Sequence, residues 1–143
     1  MTKYLKWRPS TRIEETREFL RLCHLAWEEK KSFHWAIVRK EDDWLIGMVG
    51  FRVDEHKWEL GYVLARFYWG NGYMTEAVKV LVDWALNQEG IYRVWAVGDI
   101  DNVASAHVME KVGMRREGIL RRWSMHPTVS DEPRDSYCYA IVK

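Results

Sequence analysis

The chain has 143 residues, the length of one domain and enough to bury a core without a disulfide or metal staple. Apolar residues make up 48% and charged residues 30%, a balance that excludes intrinsic disorder. Lys plus Arg is 22 against 21 Asp plus Glu, and the resulting net charge of +1 argues against a protein built to grip nucleic acid or an anionic membrane. Cys23 and Cys138 sit in apolar patterns and read as buried thiols. Two cysteines form no zinc site, and the five histidines show no metal spacing, so no metal is expected. No apolar run approaches the ~20 residues of a membrane span, and Met1-Thr-Lys-Tyr is no signal peptide, so the expected location is the cytoplasm. Nine tryptophans read as a Trp-rich core with some exposed rings.

The first helix is announced by Thr11-Arg-Ile-Glu14, a capping box, after which Ile13, Phe19/Leu20, Cys23 and Trp27 recur at helical spacing to about Lys30. Ser32–Lys40, Trp44–Val53 and Lys57–Leu64 read as short strands. The polar turns Glu41–Asp43 and Asp54–His56 join them into an antiparallel meander. Tyr73–Glu89 is a long, largely buried helix that Gly90 ends. Tyr92–Val97 is a strand, and Val103–Val112 is a short helix capped by Asn102 and ended by Gly113. Met114–Met125 and Ser136–Val142 are two more strands, separated by a loop with Pro127 and Pro133. Lys57–Leu64, the long helix and Tyr92–Val97 form a β-α-β unit, whose strands must run parallel with a right-handed crossover. The fold class is therefore α/β (α+β): a mixed, mostly antiparallel twisted sheet with one parallel step, flanked by helices, in a single domain over residues 1–143. Ligands of such sheets bind beyond the carboxyl ends of the strands, where strand direction changes.

At that place stands Trp69-Gly-Asn-Gly72-Tyr-Met-Thr-Glu76, between strand and helix. Two glycines spaced by one residue let backbone N–H groups converge, and the helix N-terminus adds partial positive charge. Such a nest suits phosphate or pyrophosphate, with the Thr75 hydroxyl able to join. A plain turn that needs glycine remains the simpler alternative. A P-loop would need Gly-Lys-Ser/Thr, but Tyr73 follows Gly72. A dinucleotide fingerprint would need a third Gly where Thr75 stands, although Asp99 could in principle hold a ribose.

Three blocks carry a family resemblance: Glu59-Leu-Gly-Tyr-Val-Leu64, Tyr68-Trp-Gly-Asn-Gly-Tyr-Met-Thr-Glu-Ala77, and Asn102-Val-Ala-Ser-Ala-His-Val-Met-Glu-Lys-Val-Gly-Met114. Glu117-Gly-Ile-Leu-Arg-Arg122 with Arg134-Asp-Ser-Tyr137 adds to them. From about Tyr4 to Lys143 the chain resembles the GNAT N-acetyltransferases, and within them the RimJ/RimL type that acetylates N-terminal amines of ribosomal proteins. The resemblance implies acetyl-CoA as co-substrate and an amine as acceptor. It implies that Tyr62, Val63 and Leu64 pair with the pantetheine arm and supply an oxyanion donor. Trp69, Gly70, Asn71, Gly72, Tyr73, Met74 and Thr75 would hold the pyrophosphate, and Asn102 and Ser105 would contact the arm from the other side. It departs in three ways. Trp69 and Met74 replace commoner residues, a tyrosine often used as general acid falls at Met109, and a first strand and helix usually precede the segment Tyr4–Pro9. The last departure suggests a bare sheet edge, and with it a homodimer or swapped oligomer.

Acetyl transfer needs a neutral amine, a stabilised oxyanion and a protonated leaving thiol. A protein α-amino group, with a reference pKa near 7.7–8.0, needs only modest help from a base. Glu59, on the strand leading to the glycine loop, is the candidate base acting through water, against an exposed strand carboxylate. Ser105, one turn past Asn102, is the candidate acid for the thiolate, against a small residue that allows close packing. Tyr137 and Tyr139 are reserve acids that read first as core or wall residues. His34 and His107 could line the acceptor cleft but read first as surface or packing side chains. Arg115, Arg116, Arg121 and Arg122 divide between the two faces of one strand. The expected activity is direct acetyl transfer to a primary amine in a ternary complex, the alternative being a non-catalytic acyl-CoA-binding module.

Overall fold

The computed structural model describes residues 12–143. In order it holds α1 (Ile13–Glu28), β1 (Ser32–Arg39), β2 (Trp44–Asp54), β3 (Lys57–Leu64), a 3₁₀ turn (Arg66–Tyr68), α2 (Tyr73–Leu86), β4 (Arg93–Asp99), α3 (Val103–Lys111), β5 (Arg115–Ser124) and β6 (Arg134–Val142). Thr11 lies outside the described residues, so the capping box does too. Arg12, in extended conformation, precedes α1 and makes no side-chain cap. The long central helix stops at Leu86 and not at Glu89. The Asn87 side-chain amide donates to the Asp83 carbonyl at 2.8 Å and that of Gln88 to Trp84 at 3.0 Å, taking up the last helical acceptors.

The sheet order is β1-β2-β3-β4-β6-β5, with β3 and β4 its one parallel pair. Every other pairing is antiparallel. Met74, Val78, Val82 and Ala85 recur at helical spacing along α2 and are its buried face. They close onto Phe51, Trp58, Leu60, Val94 and Ala96 of the sheet, and Met109 of α3 joins the same core. An aromatic cluster extends this core toward the sheet edge. Trp84 of α2 meets Trp35 at 5.4 Å and Trp58 at 5.8 Å between ring centroids, and Trp27 meets Phe33 at 4.9 Å. Trp84–Trp35 and Trp27–Phe33 meet edge to face and Trp84–Trp58 at a tilt, contacts that stabilise beyond the area they bury.

One expectation is corrected here. Of the eight tryptophans among the described residues only Trp58 is buried, while Trp44 and Trp123 are exposed, so the tryptophans frame the core more than they fill it. Arg115, Arg116, Arg121 and Arg122 of β5 are all exposed, with Arg115 and Arg116 consecutive in the register with β6, so this strand is solvated. The register shifts between Arg116 and Gly118 and again between Leu120 and Ser124. At the second shift Arg122 adopts φ 51 and its amide donates to Asp135 Oδ1 at 2.9 Å, a bulge that breaks the two-residue period.

Candidate active site

The parallel pairing of β3 with β4 is short: Lys57 with Arg93, Trp58 with Val94 and Glu59 with Trp95. Beyond it the strands part. β3 continues to Leu64 against β2, and β4 continues to Asp99 against β6. From Leu60 onward, one edge of β3 therefore faces a wedge-shaped opening with its backbone groups unclaimed by a neighbouring strand. The wedge opens into a cleft of about 500 Å³, bounded by β3, the glycine loop, the start of α2 and α3.

The glycine loop forms the floor of one end. Gly70 and Gly72 both adopt φ +79, the left-handed region that glycine enters without strain. A Cβ built on either would meet nothing within 4 Å. The space over the loop is thus a cradle that side chains at these positions would occupy. Gly72 is the N-cap of α2 and has no side chain to satisfy the first-turn amides, which leaves them for a ligand. Trp69 anchors the loop: its Nε1 donates to the Leu64 carbonyl at 2.9 Å, and Arg66 lies over its ring at 5.0 Å. The Asn71 side chain turns back onto the carbonyls of Tyr68 and Trp69, at 3.3 and 3.2 Å, so it shapes the loop and does not line the cleft.

At the other end, Asn102 caps α3 by accepting from the Ser105 amide at 3.2 Å. This fixes Ser105 at the junction of helix and wedge, where the Tyr62 hydroxyl lies 2.8 Å from Ser105 Oγ and 3.0 Å from its carbonyl oxygen. Burial pushes the Tyr62 phenol up to about 12, against the opposing effect of the Ser105 hydrogen bond, so it stays protonated near neutrality. Gly98 lies against the pair. A Cβ there would stand 3.3 Å from Met109 Cε and 3.5 Å from Ser105 Oγ.

Residues 1–115 match the family model described as the acetyltransferase (GNAT) domain. The chain belongs to the GNAT acetyltransferase family. The Bacillus subtilis (strain 168) protein called uncharacterized N-acetyltransferase YoaA is 30% identical to this acetyltransferase over 146 aligned residues, spanning 100% of this chain and 81% of that one. A GNAT-family acetyltransferase structure from Bacillus anthracis is 30% identical, with a TM-score of 0.81 over 99% of this chain and 80% of the other. RimL, a ribosomal L7/L12 α-N-protein acetyltransferase solved with coenzyme A, shares the fold at a TM-score of 0.89 and 21% identity, covering 99% of this chain and 79% of its own.

Within the acetyltransferase, the cleft gathers Tyr62, Val63, Leu64, Trp69, Gly70, Gly72, Tyr73, Met74, Thr75, Asn102 and Ser105 from three separate stretches of sequence. Glu59 is elsewhere on β3, ion-paired with Arg52 of β2, and lines no part of the cleft. Tyr139 is buried with its hydroxyl donated to Glu110 at 2.8 Å, and Tyr137 stacks beneath Arg116; neither reaches the cleft. Met109 is core. His107 lines the cleft and His34 does not. Asp99 is buried and held by Arg134, whose Nε donates to its Oδ2 at 2.5 Å, which leaves it no place in a ribose site. Sequence reasoning missed two cations at the cleft, Arg66 and Lys111, and the side chain of Tyr62. For Tyr62 the two-residue period of β3 was the available signal, since Trp58, Leu60 and Tyr62 share one face. Among the described residues, no group of His, Cys, Asp or Glu is arranged to hold a metal ion, and no helix is long and apolar enough to cross a membrane.

Proposed function

We propose that the protein transfers an acetyl group from acetyl-CoA to a primary amine, either a protein N-terminus or a small-molecule amino group, by direct attack in a ternary complex. The observation that carries this reading is the joining of a glycine cradle at the start of α2 to a wedge whose far wall is a serine–tyrosine pair. The cradle suits the pyrophosphate: the first-turn amides supply donors, the helix dipole supplies partial charge, and Arg66 and Lys111 supply full charges. The free edge of β3 from Leu60 to Leu64 suits the amide-rich pantetheine arm, as an added strand would pair there. The same edge offers the backbone N–H for the oxyanion. Ser105 and Tyr62 then form one proton-donating unit, the serine facing the departing sulfur and the phenol supplying its proton. RimL, with coenzyme A in the same fold, supports the assignment of the cleft.

A panel of amines incubated with radiolabelled acetyl-CoA tests the reading. Label is expected in an amine product, with one free thiol released per acetyl transferred. Coenzyme A bound without thiol release would instead favour a non-catalytic acyl-CoA-binding module. The Glu59 carboxylate, held by Arg52, would have to act as a base through solvent. Glu59→Gln is expected to lower kcat slightly, by a factor that stays constant from about pH 6 to 9. A deficit that shrinks as pH rises would make Glu59 the base.

We further propose a cytoplasmic protein of one domain that self-associates as a homodimer or swapped oligomer. Among the described residues β1 is an edge strand, and Val38, Trp44 and Leu45 are exposed along the β1–β2 hairpin. Sedimentation at tens of micromolar should show a species larger than the monomer; monomer alone would contradict this.

A further inference from the structure

Beside the cleft lies a second cavity of about 90 Å³ that shares Tyr62, Asn102 and Ser105 with it. The volume is that of about three water molecules, enough for an amino group and its first carbons. Its remaining wall is unlike the rest of the interior. Asp99, Ser124, His126 and Ser136 are the buried polar residues among those described, and all four line this one cavity. Burying polar groups costs free energy, and here the cost is concentrated beside the serine–tyrosine pair.

The parts are held firmly. The His126 carbonyl accepts from the amides of Val129 and Ser130 at 2.9 and 3.1 Å, which fixes the backbone after β5. The His126 Nε2 lies 3.8 Å from Asp99 Oδ2. Asp99 in turn accepts from both Nε and Nη2 of Arg134, at 2.5 and 3.1 Å, and from the Asp101 amide at 2.9 Å. Burial alone would raise the Asp99 carboxyl, but these donors outweigh it and hold the carboxyl below its ordinary value. Arg134 also donates to Asp101 Oδ2 at 2.6 Å, which holds its guanidinium between two carboxylates. Of the residues lining the cavity, Asp99 is the acidic one and none is Lys or Arg, so the cavity favours a cationic amine over an anion.

We propose that this second cavity receives the acceptor amine and that His126 is the residue that takes its proton. The proposal deepens the acetyltransfer reading and rests on it. The ammonium gives one proton to His126 Nε2, which lies beside the Asp99 carboxylate and releases that proton before the next turnover. The neutral nitrogen forms its bond to the acetyl carbon as the carbon–sulfur bond breaks. The sulfur takes a proton from the Ser105–Tyr62 pair, and the second nitrogen proton replaces it. The products are the N-acetyl amine, free thiol and one released proton.

The test compares two probe amines with His126→Gln and wild type, after calorimetry has shown acetyl-CoA binding by both proteins and thermal unfolding has shown both folded. Ethylamine is protonated near neutral pH and needs a base; trifluoroethylamine is already neutral there. For ethylamine the variant is expected to lose about 10²-fold in kcat/KM, and for trifluoroethylamine about threefold or less. Equal losses for both amines would make His126 a structural residue and overturn the proposal. Should wild type turn over neither probe, histidine NMR decides. Ethylamine added to coenzyme A-saturated protein is expected to shift the imidazole signal that His126→Gln removes, leaving the signals of His24, His34 and His56 in place. An unmoved His126 signal overturns the proposal. Absence of acetyl-CoA binding by wild type overturns the functional reading beneath it. If only the variant fails to bind or fold, the same titration is read on His126→Asn.

Discussion

Replacing Gly72 by Asp is expected to weaken acetyl-CoA binding by about 100-fold while the protein stays folded. Asp tolerates the left-handed backbone better than most residues, so the φ of +79 is a modest burden. The Cβ meets no neighbour in the structure, which places the new side chain in the open cradle over the loop. A carboxylate there takes the space of a phosphate and repels it, and like charges brought together cost several kcal/mol. A hundredfold loss corresponds to about 2.7 kcal/mol, within that range. Gly90 supplies the control. It adopts φ +80, a Cβ there is equally free, and it follows the far end of α2. Gly90→Asp imposes the same backbone burden and should bind acetyl-CoA like wild type. Calorimetry on the two variants separates strain from charge, and unchanged binding by a folded Gly72→Asp would remove the pyrophosphate from this loop.

Ser105→Ala and Tyr62→Phe should each lower kcat by about 100-fold, with acetyl-CoA affinity within about threefold of wild type. A thiol is a fair leaving group, with a reference pKa near 8.5, so the loss belongs at the low end of the range for acid–base groups. The two hydroxyls are 2.8 Å apart and lie on elements separated by 43 positions in sequence. If they hand over one proton in series, the double variant should lose little more than either single one, because removing either breaks the same path. Additive losses would mean two separate functions. Full kcat in Ser105→Ala would reduce the serine to the small residue that lets α3 approach Gly98.

The parts legible in the sequence are those set by neighbours along the chain. β3 falls at Lys57–Leu64 because a polar turn precedes it and its residues alternate, and the parallel step follows from the helix that leaves it. Asn102 was readable as a cap from its place before an apolar helix, and Gly70 and Gly72 from their spacing. What was not legible depends on contacts between distant segments. The Asp99–Arg134 pair spans 35 positions and draws His126 into the same buried group, and no local period carries that information. The bulge at Arg122 rests on an amide donated to Asp135, thirteen positions away. Glu59 illustrates the reverse case. Its strand leads to the cleft, but its partner Arg52, fixed by the register of β2 with β3, decides where the carboxylate goes.

The most direct measurement is a crystal structure of the protein with coenzyme A. The pyrophosphate should lie over Gly70–Gly72 against the first amides of α2, and the pantetheine arm should run along the free edge of β3. The sulfur should end within hydrogen-bonding reach of Ser105 Oγ. Coenzyme A bound elsewhere, or bound in the cleft with its sulfur directed away from Ser105 and Tyr62, would contradict the account.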